Sequence, residues 1–276
     1  MSNRTTRRAF LTGAGAAGAL AVVAPAYLAN TASAATAVNV YVAGDSTASI
    51  YKTASAPRAG WGQALPVFFT SAATVVDKAQ SGASSKSFVD SGLLSPILSS
   101  IKAGDFLLIS FGHNDEKTDD ATRYTDPATT FKTYLSKFVD GATAKGATPV
   151  LVTPVERRRF NSAGVAQSSH GAYPAAMREL AAAKKVPLID LTASSLALWN
   201  KLGVEGTKKC FLFLSAGQSS NYPAGIEDNT HFQAHGAIEV ARLVAAALSS
   251  QSVLPAADFQ RLTTTSISDS LIVWPS

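Results

Sequence analysis

Ser46 follows a β-rich run, in Gly44-Asp45-Ser46-Thr47, where a turn would lift its hydroxyl to the edge of a sheet. A hydroxyl so placed is an acyl-transfer nucleophile if a base lies within reach. Taken alone, the same serine serves equally as a cap or turn residue. The candidate base is His231, in Asp228-Asn229-Thr230-His231, just ahead of a helix-like stretch. The short spacing lets one turn carry both groups. Asp228 can accept from one ring nitrogen and fix the tautomer, leaving the other nitrogen to take the Ser46 proton. The alternative is a capping aspartate beside a surface histidine. His231 and His235 are also four apart, which admits a zinc pair, yet no glutamate follows His231 and no third ligand cluster stands out. Two further loops offer donors to a developing oxyanion. One holds Gly82, in Gln80-Ser81-Gly82-Ala83, and the other Asn114, in Gly112-His113-Asn114-Asp115. Each also reads as an ordinary turn, and Asp115 either braces its loop or caps a helix. A nucleophile, a base with its orienter and two separate donors make up the parts of serine acyl transfer, and the joint pattern is more specific than any piece.

For these groups to meet, the intervening elements must gather their loops at one edge. Short β-rich segments over 38–43, 74–79, 105–111, 148–153 and 186–190 read as strands. Helical spacing predicts helices over 127–145, 173–185, 191–202 and 234–248, with Asp126 as N-cap and Pro127 in the first turn of the first. Strands separated by helices imply one α/β domain around a five-stranded, mostly parallel sheet covered on both faces. Functional residues in such sheets collect beyond the carboxyl ends of the strands.

Composition narrows the classes. Hydrophobic residues are 46% of the 276 and charged residues 16%, which excludes a disordered chain. The single cysteine, Cys210, cannot form an intrachain disulfide. The net charge of +5 invites a nucleic-acid partner, but its location matters. Thr-Arg-Arg-Ala-Phe-Leu over 6–11 precedes an apolar Gly/Ala-rich stretch without charge, then Ala32-Ser33-Ala34. This reads as a secretory signal over 1–34, and Arg7-Arg8 resembles the paired arginines of a bacterial twin-arginine signal. Cleavage after Ala34 leaves 242 residues. Because it removes Arg4, Arg7 and Arg8 and no acid, the charge falls from +5 to +2. No basic stripe with interleaved aromatics remains to recruit nucleic acid. The expectation is a protein exported by the twin-arginine machinery and secreted, with no membrane attachment after cleavage.

The four loops together resemble the four blocks of the SGNH (GDSL-type) hydrolases. Within that superfamily the chain resembles the secreted bacterial rhamnogalacturonan acetylesterases. The likeness runs through WGQALPVFF (61–69), AQSGASSKSF (79–88), FGHNDEK (111–117), RYTDP (123–127), TPVERRRF (153–160), YPAAMRELA (173–181) and DNTHF (228–232). It implies a flavodoxin-like three-layer α/β/α sandwich over 35–250 and a mechanism without metal or cofactor. Ser46 would be the nucleophile, His231 the base and Asp228 its orienter. The Ser46 and Gly82 N–H groups and the Asn114 side chain would form the oxyanion hole. The implied substrate is acetylated galacturonate in the rhamnogalacturonan backbone of pectin, as polysaccharide or oligosaccharide. An acetyl-xylan or other small-acyl esterase and a non-catalytic carbohydrate-binding protein are the alternatives. Ala83 stands where relatives often carry arginine. Arg157, Arg158 and Arg159 follow the fourth strand, and at least one could face the galacturonate carboxylate, since arginine binds carboxylates bidentately; a solvated charge run is the other reading. His113 would contact substrate or support its loop. The segment over 251–276 carries no clear family motif.

Overall fold

The structure, a computed structural model, describes residues 37–276, so the export signal read over 1–34 lies outside the described residues. Eight strands are β1 Val38–Gly44, β2 Arg58–Ala59, β3 Ala73–Asp77, β4 Phe106–Ser110, β5 Thr148–Val152, β6 Leu188–Ile189, β7 Phe211–Leu214 and β8 Ile226–Gln233. The α-helices are α1 Trp61–Ala64, α2 Ser85–Asp90, α3 Leu94–Ser100, α4 Thr130–Ala144, α5 Tyr173–Lys184, α6 Leu191–Thr207 and α7 Ala234–Ser250.

Five strands form one parallel sheet in the order β3-β1-β4-β5-β6. The central strands are apolar on both faces because both are covered, so they read as unbroken hydrophobic runs. Their period of two still shows in where each side chain packs. Val40, Val42, Leu108, Val150 and Val152 join one core with Trp61, Trp199 and the apolar stripe of α7. Tyr41, Ala43, Leu107, Ile109 and Leu151 join the other, with Phe88, Phe131, Phe138 and Met177 from α2, α4 and α5. The result is the expected three-layer sandwich.

The reading of the sequence has no counterpart for the short helices α1, α2 and α3, and three further features depart from it. The helix predicted from Pro127 starts at Thr130. Asp126 instead builds the preceding turn, its Oδ1 accepting from the Ala128 and Thr129 amides at 2.8 and 3.1 Å. The helix predicted to stop at 202 continues to Thr207 through a break at Gly203, whose φ of 69° is open to glycine. Finally, a second sheet of order β2-β8-β7, all antiparallel, had no counterpart in the predicted elements. Its longest strand, β8, is mostly polar, so neither strand propensity nor alternation marks it.

The segment over 251–276 belongs to the same body. Leu254, Phe259, Ile267 and Ile272 are buried in the first core, and Phe259 packs on Phe69 at 4.9 Å between ring centroids. Gln63 Nε2 donates to Val273 O at 2.8 Å, and Trp274 Nε1 donates to Arg58 O at 2.8 Å.

At the end of β3, Asp77 Oδ1 accepts from the Ala79 amide at 2.9 Å and starts the turn toward Gly82. Its Oδ2 is buried without a partner. Burial pushes this carboxyl up to about 8, against the smaller lowering effect of the Ala79 hydrogen bond. The native state therefore keeps a proton that the unfolded chain releases near pH 4, and stability falls as pH rises from there through about 8. Thermal unfolding between pH 6.5 and 8.5 is expected to show a falling Tm, and Asp77→Asn, which cannot ionise, to lose part of that slope. An unchanged slope in the variant would show that Asp77 is not the group responsible.

Candidate active site

The loops after β1, β3, β4 and β5 and the end of the second sheet surround one open pocket of about 300 Å³. Ser46 sits in the first turn. Asp45, fully buried, builds that turn: its Oδ1 accepts from the Thr47 amide and hydroxyl at 2.9 and 2.8 Å, and its carbonyl accepts from the Ala48 and Ser49 amides. Tyr51 Oη donates to the Ser46 carbonyl at 2.7 Å. The Ser46 backbone is thus held from both sides, while its side chain points to the pocket.

Asp228 and His231 sit on β8, not in a free loop. Leu212 of β7 pairs with Asp228, but the adjacent Phe211 pairs with Phe232, so residues 229–231 bulge out of the ladder. A bulge re-aims side chains, and here it turns His231 toward Ser46. Asp228 Oδ1 accepts from the Thr230 and His231 amides at 2.8 and 3.0 Å. Its Oδ2 lies 2.7 Å from His231 Nδ1, and His231 Nε2 lies 2.9 Å from Ser46 Oγ. Burial alone would raise the Asp228 carboxyl, but its hydrogen bonds with His231 and the two amides hold it down to about 2. A charged Asp228 fixes the proton on Nδ1, which leaves Nε2 an acceptor.

The oxyanion candidates converge opposite. Among the described residues, neither the Ser46 nor the Gly82 amide donates to a protein acceptor. Gly82 has φ of 82°, and a Cβ there would meet nothing within 4 Å, so glycine is required for its backbone conformation and not for space. Asn114 Nδ2 donates to Ala83 O at 2.9 Å, which holds the amide and leaves its second hydrogen free. Asp115 braces the loop, its Oδ1 accepting from the Ser85 amide and the Thr125 hydroxyl at 3.1 and 3.0 Å.

The arginines after β5 divide. Arg157 lines the pocket, but its guanidinium is paired with Glu116 and donates to Ser169 O at 3.3 Å. Arg158, expected at the substrate, turns away. It donates to Thr207 Oγ1, Asn229 Oδ1 and Val204 O at 3.1, 3.1 and 2.7 Å and lies over Phe213. Its own amide donates to Asn229 O at 2.8 Å, so Arg158 braces the bulge that carries His231. Arg159 is exposed. His113 is buried and lines the pocket, with both ring nitrogens unpartnered and its edge against His170. Burial, with His170 and Arg157 nearby, drives its pKa well below the usual imidazole range, so it is neutral. His235 lies in a separate groove beside Asp269, at 3.8 Å, so it does not converge with His231. Among the described residues no group of three His, Cys, Asp or Glu side chains converges as metal ligands would.

Arg58, Lys117 and Arg123 also line the pocket, and none was singled out from the sequence. Arg123 lies within the RYTDP segment, and its donation toward Asn114 Oδ1 at 3.4 Å depends on a fold-back that spacing does not reveal. Arg58 reaches the site only because β2 pairs with β8.

A five-stranded parallel sheet in three layers, with these loops at its carboxyl edge, is the fold of the SGNH hydrolases. The chain belongs to the GDSL-like lipase/acylhydrolase family, whose model matches residues 42–237. It is 47% identical over 208 residues to the rhamnogalacturonan acetylesterase RhgT of Bacillus subtilis, covering 75% of this chain and 88% of that one. It is 40% identical over 207 residues to the probable rhamnogalacturonan acetylesterase YesY of the same organism, covering 75% and 90%. The crystal structure of Bacillus subtilis YxiM superposes with a TM-score of 0.68 at 32% identity, covering 79% of this chain and 58% of the crystallised chain.

Proposed function

We propose that this protein removes acetyl groups from galacturonate residues of the rhamnogalacturonan backbone of pectin. The observation that carries the chemistry is the pair of hydrogen bonds made by His231, one to Asp228 and one to Ser46. The substrate class is supported by kinship with a rhamnogalacturonan acetylesterase and a protein named as a probable one, and by a pocket rimmed with cations.

In this reading Ser46 Oγ attacks the acetyl carbonyl carbon while its proton passes to His231 Nε2. The carbonyl π electrons move to oxygen, and the Ser46 and Gly82 N–H groups and Asn114 Nδ2 receive the negative charge. Collapse of the tetrahedral intermediate breaks the bond to the sugar oxygen, which takes the proton from His231. Water then attacks the acetyl-enzyme with His231 again as base, releasing acetate and restoring Ser46. Asp228 stays ionised and stabilises the imidazolium in both halves. Neutral His113 offers a ring nitrogen to a substrate hydroxyl. Export through the twin-arginine route would place the activity outside the cell, where the polymer is found.

Asn114→Ala removes one of three donors and is expected to lower kcat by about 10²- to 10³-fold. The change should fall on kcat more than KM, because the oxyanion forms only in the transition state. A loss confined to KM would move Asn114 from the oxyanion to ground-state binding. The substrate is tested by acetate release from a panel of acetylated polysaccharides. Fast release from rhamnogalacturonan and slow release from acetyl-xylan is the expected result. The reverse order would overturn the pectin assignment and favour the acetyl-xylan alternative.

A further inference from the structure

Four cations line the pocket, and their surroundings differ. Arg157 is neutralised by Glu116. Arg123 is paired with Asp120 and leans on Asn114. Lys117 has no partner among the described residues, but an ammonium on a flexible stem gives a point charge and no fixed geometry. Arg58 combines charge with a fixed position. Its strand pairs with β8 at Gln233, and its carbonyl accepts from Trp274 Nε1. Its guanidinium carbon lies over the Tyr51 ring, 4.3 Å from the centroid. Tyr51 in turn donates to the Ser46 carbonyl, so the guanidinium is fixed relative to the nucleophile.

Despite this ordering, the Arg58 side chain forms no ion pair among the described residues, and its Nε–H is buried without an acceptor. A buried donor without an acceptor is costly, and for a charged group the cost is larger. The other ordered arginines of the site all spend their donors on protein oxygens. The two Nη groups of Arg58 make no hydrogen bond to protein among the described residues, and a planar fork so held at the pocket wall is shaped for a planar, bidentate anion.

We infer that Arg58 binds the carboxylate of the acidic sugar that carries the ester, and so sets the preference for uronic-acid substrates over neutral ones. The inference rests on the acidic-polymer reading above. It gives the carboxylate role to Arg58, in place of the run Arg157–Arg159. Trp274 and Tyr51 become positioning residues for that contact.

The test compares one acetylated rhamnogalacturonan oligosaccharide with free carboxylates and the same oligosaccharide with its carboxylates methyl-esterified. The readout is the ratio of kcat/KM for acid over methyl ester, which is independent of the fraction of enzyme correctly folded. Wild type is expected to favour the acid by about ten- to hundredfold, the range of a hydrogen-bonded charge contact. Arg58→Gln should bring the ratio close to one, largely through KM for the acid. Arg58→Lys should retain part of the preference, and Arg159→Gln all of it. If wild type favours the acid and Arg58→Gln keeps the full ratio, the Arg58 assignment is overturned while the proposed function stands. If wild type releases acetate from both forms equally, carboxylate recognition is absent and the inference falls with it. If neither form is hydrolysed while acetyl-xylan is, the proposed function itself has failed.

Discussion

Ser46→Ala is expected to lower kcat for acetate release on the order of 10⁶-fold, the scale on which nucleophile deletions act in serine hydrolases. The mutation removes one atom, Oγ, whose partner in the structure is His231 Nε2. Everything that builds the turn lies elsewhere, in the Asp45 carboxylate, the Asp45 carbonyl and the Tyr51 hydroxyl, so the fold should persist. The Ser46 and Gly82 amides and Asn114 also remain, and with substrate binding they should leave a residual rate of about 10³- to 10⁴-fold over water. Acetate release measured beside circular dichroism and thermal unfolding separates the two effects. A folded variant within a hundredfold of wild type would remove Ser46 from the mechanism.

The second large effect is expected at Asp228. The Asp228→Asn variant should lose about 10⁴-fold in kcat. An asparagine can still accept from the Thr230 and His231 amides through Oδ1, so the bulge survives. Toward His231 Nδ1 it presents an N–H2 group in place of a carboxylate oxygen. The ring must then accept at Nδ1 and carry its proton on Nε2, where it cannot take the Ser46 proton. The wild-type carboxyl is held down to about 2, with burial opposed by the His231 and amide hydrogen bonds. Its charge is therefore constant from mild acid to alkaline pH, and acid inactivation between pH 4 and 7 must come from another group. Asp228→Ala should differ in kind. It strands two amide donors in the bulge and should lower Tm as well as kcat. An Asp228→Asn variant that keeps more than a tenth of wild-type kcat would show that the tautomer is set by something else.

Much of this architecture is legible in order along the chain. The five sheet strands announce themselves as β-rich runs because both faces of the sheet are covered, and the long helices by an apolar stripe at helical spacing. Ser46, Gly82, Asn114, Asp228 and His231 stand out as candidates because acyl transfer needs those functional groups and each follows an expected strand or precedes an expected helix. The second sheet is not legible. Its bulged strand is polar, and its pairing with Phe211–Leu214 and Arg58–Ala59 is a long-range event that no local pattern encodes.

The arginines mark the same boundary more sharply. Three adjacent residues of one type, Arg157, Arg158 and Arg159, have three fates: an ion pair at the pocket, a brace behind the bulge, and solvent. Their sequence positions are nearly the same, and only their neighbours across the fold differ. Arg58 is the converse, inconspicuous in the chain yet part of the pocket wall because β8 draws β2 alongside it. Fold class and the candidate chemical groups are readable along the chain, since hydrophobic period and functional-group type are local properties. The directions of Arg157 and Arg158 are set by the fold, because a guanidinium on a long, flexible stem takes its place from its partners, and Glu116, Thr207 and Asn229 lie tens of residues away along the chain.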